Sequence, residues 1–277
     1  MIYKNNIDSK TVDGFGDEWI RFDQSELSEK ELVNRFNEYF NVFPWESLPK
    51  NPIGFDAGCG SGRWAKIVSR RVKTLHCIEP SSAINVAIKN LETTKNCIFH
   101  HVDIDNIPFK DNSMDFGYSL GVLHHMPDTL DGLKKCVKKL KIGAPFLVYL
   151  YYSFDNKPYW FQLIWKFSNY LRIFISKRSY NIRFFLSQLI AIFVYLPLAN
   201  LAKIFEKLGF KVNNFPLSYY RKYSFYSMRT DALDRFGTRL EVRFSKSEIK
   251  KMLVESGLTN IKFSNSSPYW CASGIKG

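Results

Sequence analysis

The sequence predicts an α/β fold, a parallel sheet covered by helices on both faces, with a helical insertion after the fifth strand. Three observations predict it. From about residue 53 to 152, short apolar runs alternate with stretches of helical periodicity, the pattern of strands joined by right-handed helical crossovers. At Ser153 the texture changes to aromatic-rich, basic and helical, and near Ser245 the alternation returns. A chain of 277 residues with 45% apolar content suits one domain with a sizeable insertion. The expected organisation is a helical lead-in over 1–50, a core over 51–152 and 241–277, and an inserted lid over 153–240.

In chain order, ELSEKELVNRFNEYF (26–40) reads as an amphipathic helix. IGFDAG is the first strand and RWAKIVSRR the helix behind it. TLHCIEP is a second strand, SAINVAIKNLE a helix, CIFHHVD a third strand and MDFGYSLG a fourth. TLDGLKKCVKKLK is a helix with a lysine-rich outer face, and APFLVYLYY the fifth strand. SKSEIKKMLVESG has a serine N-cap and a terminal glycine, and LTNIKFSNSS and PYWCASG close the sheet.

The turn after the first strand, DAGCGSG, places Gly58, Gly60 and Gly62 on alternate positions. A dinucleotide fingerprint needs a glycine where Arg63 stands, and no GK[ST] follows, so neither an NAD-type loop nor a P-loop is predicted. Asp56 precedes the first glycine by two residues and favours a ligand with a cationic end over a pyrophosphate. Glu79 ends the second apparent strand, where a carboxylate can accept from both ribose hydroxyls. Asp103 ends the third and is placed to accept from an adenine amino group. Any one of them is explained as well by an ordinary helix cap. Three acids ending three successive strands at one edge of a sheet point together to an adenosyl compound with a positive charge, which S-adenosylmethionine is.

DAGCGSG, then IEPS, then DIDNIPFKDNSMDFGYSLGVLHHMPD resemble the successive motifs of class I SAM-dependent methyltransferases, in residue type, order and spacing, over about residues 53–150. The resemblance implies a Rossmann-like class I methyltransferase sheet with S-adenosyl-L-methionine as cofactor and S-adenosyl-L-homocysteine as product. Asp56, Gly58 and Gly60 are then expected near the methionine part, Glu79 at the ribose, and Asp103 with Ile104 at the adenine; Gly62, Pro80 and Leu120 complete the cofactor set. FGDEWIRFD, TDALDRFGTRLEVRFSKSEI and PYWCA are similar to methyltransferases found among bacterial surface-polysaccharide (lipopolysaccharide or capsule) biosynthesis enzymes. Enzymes that methylate exocyclic base amines resemble one another in a polar-Pro-Pro-aromatic motif after the fourth strand. This chain has SLGVLHH there, which lowers the weight of nucleic acid as a partner.

A sugar hydroxyl needs a positioned base, and such a base contributes ~10²–10⁴-fold. His124 and His125 follow the fourth strand and are the catalytic candidates, against a packing or capping role; His100 and His101 are expected to be structural, and no metal is expected. Tyr219, Tyr220, Tyr223, Arg221, Arg229 and Arg235 combine flat faces with fixed cations, a set suited to sugars carrying phosphate or carboxylate. Asp231 joins them as an acceptor from hydroxyls or as an arginine partner, and Trp19 with Arg21 is expected to close the cofactor pocket.

The net charge is +13. Between Lys157 and Arg229 twelve basic residues face one acid, Glu206, so that segment accounts for nearly all of the surplus and favours an anionic partner such as a membrane surface, over the alternative of a solvated face. FFLSQLIAIFVYLPLANLA (184–202) is uncharged and approaches the ~20 residues of a membrane span. A single crossing conflicts with strands that precede and follow the insertion in one sheet, which leaves a lid face at the membrane interface or an internal cap. Five scattered cysteines and a polar start predict a cytoplasmic protein, peripheral at the inner face of the membrane. The leading function is O-methylation of a surface glycan or its lipid- or nucleotide-linked precursor. A methyltransferase for a quinone or lipid is the alternative, as is a non-catalytic SAM- or nucleic-acid-binding protein.

Overall fold

A computed structural model describes residues 6–277; the start of the polar segment MIYKNNIDSK lies outside them. The elements run α1 (Ser9–Arg21), α2 (Glu29–Tyr39), β1 (Ile53–Ala57), α3 (Ala65–Val68), β2 (Thr74–Ile78), α4 (Ala83–Asn90), β3 (Cys97–His100), β4 (Phe116–Leu120), α5 (Thr129–Lys139), β5 (Pro145–Tyr149), α6 (Tyr159–Ser176), α7 (Tyr180–Ile190), α8 (Leu196–Lys207), α9 (Phe225–Gly237), α10 (Lys246–Glu255), β6 (Leu258–Phe263) and β7 (Ala272–Lys276).

The seven strands form one sheet in the order β3-β2-β1-β4-β5-β7-β6. Strands β1 to β5 are parallel, whereas β7 runs antiparallel between β5 and β6. The predicted closing strands are both present, and β7 alone runs against the parallel strands predicted over 53–152. The turn between β6 and β7 is short enough to reverse the chain directly, so no crossover helix forces β7 parallel. The helix expected over RWAKIVSRR is one turn, α3, followed by a 3-10 turn at Ser69–Arg71.

Local chemistry fixes the helix starts. Asp8 caps α1 by accepting from the Thr11 amide, and Asp128 caps α5 by accepting from Asp131. Ser245 and Glu248 make a reciprocal capping box on α10. Phe55, Phe116, Phe146, Leu75, Ile78 and Leu133 are fully buried around the sheet.

The chain divides into two compact units: residues 1–24, 32–153 and 240–277, which hold the sheet, and residues 25–31 and 154–239, which are helical. Within the helical unit α9 is the buried element, with Met228, Ala232 and Phe236 packed against Ile175 of α6 and Ala191, Tyr195 and Ala199. Tyr180 to Lys207 is one continuous helix of 28 residues. It widens into a π turn at Ala191–Tyr195 just before Pro197, whose ring and missing N–H disturb the α-helical ladder there.

Candidate active site

Strand order reverses between β1 and β4, which opens the crevice at the carboxyl edge where folds of this class bind ligands. The loop after β1 enters that crevice. Its three glycines have φ of +83°, +52° and +78° at Gly58, Gly60 and Gly62, a region that costs residues with a Cβ. Close approach adds a second constraint at Gly58, where a Cβ would lie 2.4 Å from the Val122 side chain. The Gly58 and Cys59 amides both donate to the Ile78 carbonyl, at 2.8 and 2.9 Å, which ties the loop to the end of β2.

Asp56 pairs in register with Cys77 of β2 and Tyr118 of β4. Residues at one register level of a parallel ladder share a face, so the three side chains gather beneath the glycine loop. The Asp56 carboxyl is 1% exposed, and its Oδ2 is buried with no hydrogen-bond partner among the described residues. Burial pushes its pKa up to about 8; the Tyr118 hydroxyl draws it down, the Glu79 charge raises it further, and the Arg63 charge lowers it.

Glu79 follows β2 and is also buried. Its Oε2 accepts from the Gly60 amide at 3.0 Å, and its Oε1 from the Ser81 amide at 3.0 Å and the Ser81 hydroxyl at 2.6 Å. A carboxylate offers about four lone-pair sites, so Oε2 retains capacity for a ligand hydroxyl. Burial raises its pKa while the Ser81 and Gly60 donors oppose the rise. Asp103 lies beyond the end of β3, where its Oδ1 accepts from the Asn106 amide at 2.9 Å and the Asn106 side chain at 2.8 Å. Asp103 thus caps the 3-10 turn with Oδ1, and the cap does not preclude an acceptor role for its second oxygen. Ile104 and Leu120 are buried, and the Pro80 carbonyl meets the His101 ring at 3.1 Å.

Helix α1 lies against the start of α4. Gly16 makes this possible, because a Cβ there would sit 2.4 Å from Ser82 Oγ. One turn later Trp19 covers the glycine loop, its Nε1 3.0 Å from where a Gly60 Cβ would be. The Arg63 guanidinium lies 5.1 Å from the Trp19 ring centroid and 4.6 Å from that of Trp64. Trp19 is thus brought to the loop, while Arg21 is exposed.

The two candidate histidines sit in a 3-10 turn after β4. His124 is 0% exposed, and neither ring nitrogen has a hydrogen-bond partner among the described residues. Burial, then the neighbouring His125 and Arg243 charges, hold its pKa well below the usual imidazole value. Its ring centroid is 3.9 Å from that of His125 and 3.9 Å from that of Tyr151. His125 Nδ1 is 2.7 Å from the Leu240 carbonyl. A carbonyl only accepts, so that contact places the proton on Nδ1 and leaves Nε2 as the basic nitrogen. Arg243 lies 4.9 Å from the Tyr151 ring centroid and pairs with the buried Glu241 at 2.8 Å.

This stack of His125, His124, Tyr151 and Arg243 is only half visible in the sequence. Tyr151 and Arg243 are separated by the whole insertion, and LEVRF gives no sign of returning to β5 until Phe244 pairs with Tyr152. His100 is paired with His76 at 2.9 Å, on the far strands of the sheet. Among the described residues no group of three or more His, Cys, Asp or Glu could hold a metal ion.

Tyr219, Tyr220, Tyr223, Arg221, Arg229, Asp231 and Arg235 all lie in the helical unit. Tyr219 packs on Tyr220 and Tyr223. Arg221 makes two bonds to Glu206, at 2.9 and 2.8 Å, which fix its guanidinium in place. Arg229 Nε donates to Gln188 at 2.7 Å, and Arg235 lies 5.6 Å from the Trp165 ring centroid.

Residues 55–148 match the family model described as a methyltransferase domain. Among curated proteins, the chain is 29% identical over 112 residues to probable tRNA methyltransferase 9B of Bos taurus, covering 39% of this chain and 23% of that one. It is 23% identical over 128 residues to the tRNA U34 carboxymethyltransferase of Nautilia profundicola, covering 41% and 43%. The matches therefore span less than half the length of either relative. Two solved structures share the fold: a Bacillus halodurans protein assigned as a methyltransferase (TM-score 0.51, 14% identity, 83% of this chain and 72% of that one) and a Haloferax volcanii protein solved with the Trm112 methyltransferase activator (TM-score 0.51, 14% identity, 95% and 97%). Residues 55–148 therefore match a methyltransferase domain, within a chain that has the Rossmann-like class I methyltransferase fold.

Proposed function

We propose that the protein transfers a methyl group from S-adenosylmethionine to an oxygen acceptor. The observation that carries this reading is Asp56, a buried carboxyl with an unpartnered oxygen beside three left-handed glycines. A buried carboxyl oxygen without a partner is costly, and a cationic ligand end would supply the missing partner. Asp56 and the loop would hold the methionine part, Glu79 Oε2 a ribose hydroxyl, and Ile104 and Leu120 the apolar wall at the adenine. Bound there, the cofactor would supply a methyl group on a positively charged sulfur, which would leave as a neutral thioether as the acceptor oxygen takes the methyl.

His125 is the base of choice, since the Leu240 carbonyl orients it with Nε2 basic; His124 and Tyr151 buttress its ring and exclude water. Removing the acceptor proton is what a hydroxyl requires and a ready nucleophile does not. The hydroxyl reading favours a glycan or its lipid- or nucleotide-linked precursor. A second reading, RNA, is favoured by the tRNA methyltransferases among the relatives, although the match lies in the donor-binding half that all acceptors share.

Incubating the pure protein with methyl-labelled cofactor, separately with fractionated envelope extract and with total RNA, tests both. Label in the envelope glycan or lipid fraction supports the first acceptor and label in RNA the second. No transfer to either, from protein that binds the cofactor, would overturn the enzymatic reading.

A further inference from the structure

The helical unit carries an apolar surface built the wrong way round for a protein surrounded by water. Among the exposed large residues of α6 are Trp160, Ile164, Phe167, Leu171 and Phe174, with Leu163 and Tyr170 beside them. That spacing is one helical stripe, and it faces solvent, while Arg172, Ile175 and Ser176 are the buried residues of the same helix. The helix from Tyr180 to Lys207 repeats the inversion. Phe185, Phe193 and Ile204 are exposed, and only 22% of its most apolar stretch is buried. Phe167 and Phe193 are 75% and 72% exposed. Contiguous apolar surface on this scale marks an interaction site.

The charges bordering these stripes select the occupant. Lys166, Lys177, Arg178, Lys203, Lys207 and Lys211 are all exposed, and the one acid among them, Glu206, is taken by Arg221. A second copy of the chain would bring the same cations together. RNA would satisfy the lysines but leave Ile164, Leu171 and Ile204 without an apolar partner. An anionic bilayer meets both requirements, with acyl chains for the stripes and headgroups for the cations.

We infer that the helical unit docks on the surface of an anionic membrane, with the exposed stripes of α6 and of the Tyr180–Lys207 helix in the interface and the lysines at the headgroups. The helix lies on the bilayer rather than through it. Ala191, Tyr195 and Ala199 hold its inner face on α9, Lys203 and Lys207 charge its last turns, and β5 and β7 pair in one sheet, so the chain must return to the side it left. No other helix among the described residues is long and apolar enough to bring it back. The inference goes beyond the catalytic reading and does not need it.

Flotation of the full chain with vesicles of phosphatidylglycerol and phosphatidylcholine, against phosphatidylcholine alone, tests it at low salt. Binding to the anionic vesicles is expected, at least tenfold weaker without the anionic lipid. Lys203→Gln, Lys207→Gln and Lys211→Gln are each expected to weaken it by about fivefold, and Phe167→Ser with Phe193→Ser by at least tenfold. These five sites are exposed, so unchanged binding of S-adenosylhomocysteine by the variants certifies their fold. Equal binding to both vesicle types, indifference to the phenylalanine changes, or a lipid-free dimer dissolved by those changes would overturn the inference. Loss of vesicle binding with cofactor binding intact would leave the catalytic reading standing.

Discussion

If Asp56 holds the cationic end of the cofactor, binding must expel a proton. The free carboxyl titrates at about 8, so near pH 7 it is protonated in roughly nine molecules of ten. A bound ammonium favours the ionised form and lowers that pKa. Complex formation at pH 7 should therefore release about 0.9 proton, and affinity should fall as the pH drops, by roughly twentyfold between pH 7.5 and 6.0. Calorimetry with S-adenosylhomocysteine in phosphate and in Tris reads the proton directly, as the dependence of the observed heat on the ionisation enthalpy of the buffer. Asp56→Asn removes the titration and the charged partner. It should abolish the proton release and weaken binding at pH 7.5 by roughly 10- to 150-fold, the worth of a hydrogen bond to a charged group. A buffer-independent heat at pH 7, together with an affinity that is flat from pH 6.0 to 7.5, would refute the reasoning.

Other consequences are quicker to check. Glu79→Gln keeps the shape but turns one acceptor oxygen into a donor facing the Gly60 amide; it should weaken cofactor binding by about tenfold or more in calorimetry. Gly58→Ala places a methyl group against Val122 at positive φ, and should lower both the melting temperature and the cofactor affinity. His125→Ala should reduce single-turnover methyl transfer by ~10²–10⁴-fold with little change in cofactor affinity.

The strand–helix order and the glycine loop were legible because they depend on local pattern. The direction of β7 was not, because period-two alternation is the same in either direction. Asp103 shows the limit at a single position. A carboxylate at a strand end can serve a ligand, a 3-10 turn or both with its two oxygens, and sequence does not show that Asn106 takes one of them. Tyr151, Glu241 and Arg243 escaped notice for a different reason. They become neighbours of His124 only when the chain comes back from the insertion, a distance across which sequence carries no register. The partner that fixes Arg221 was not legible either, because Glu206 lies a helix turn and a loop away in sequence, yet within 3 Å in space.

The buried acid also couples the site to stability, in a direction opposite to that of most carboxylates. The folded-state pKa of Asp56 lies above its ordinary value of 3.8. The unfolded chain thus ionises first, and the ligand-free protein loses stability as pH rises from about 4 to about 8. Over the same interval cofactor affinity increases, because the ionised acid is what the ligand needs. Both effects enlarge the rise in melting temperature that a fixed cofactor concentration produces. The shift at pH 8.0 should therefore exceed that at pH 6.0, while Asp56→Asn, with no charge to bury, should raise the ligand-free melting temperature at pH 8.0 and show a cofactor shift that is small at both. Thermal scans at the two pH values separate this from simple loss of a contact, which would lower affinity in the variant without stabilising its ligand-free form. A variant that melts below the wild type at pH 8.0 would mean that the site keeps Asp56 satisfied by some group other than the ligand.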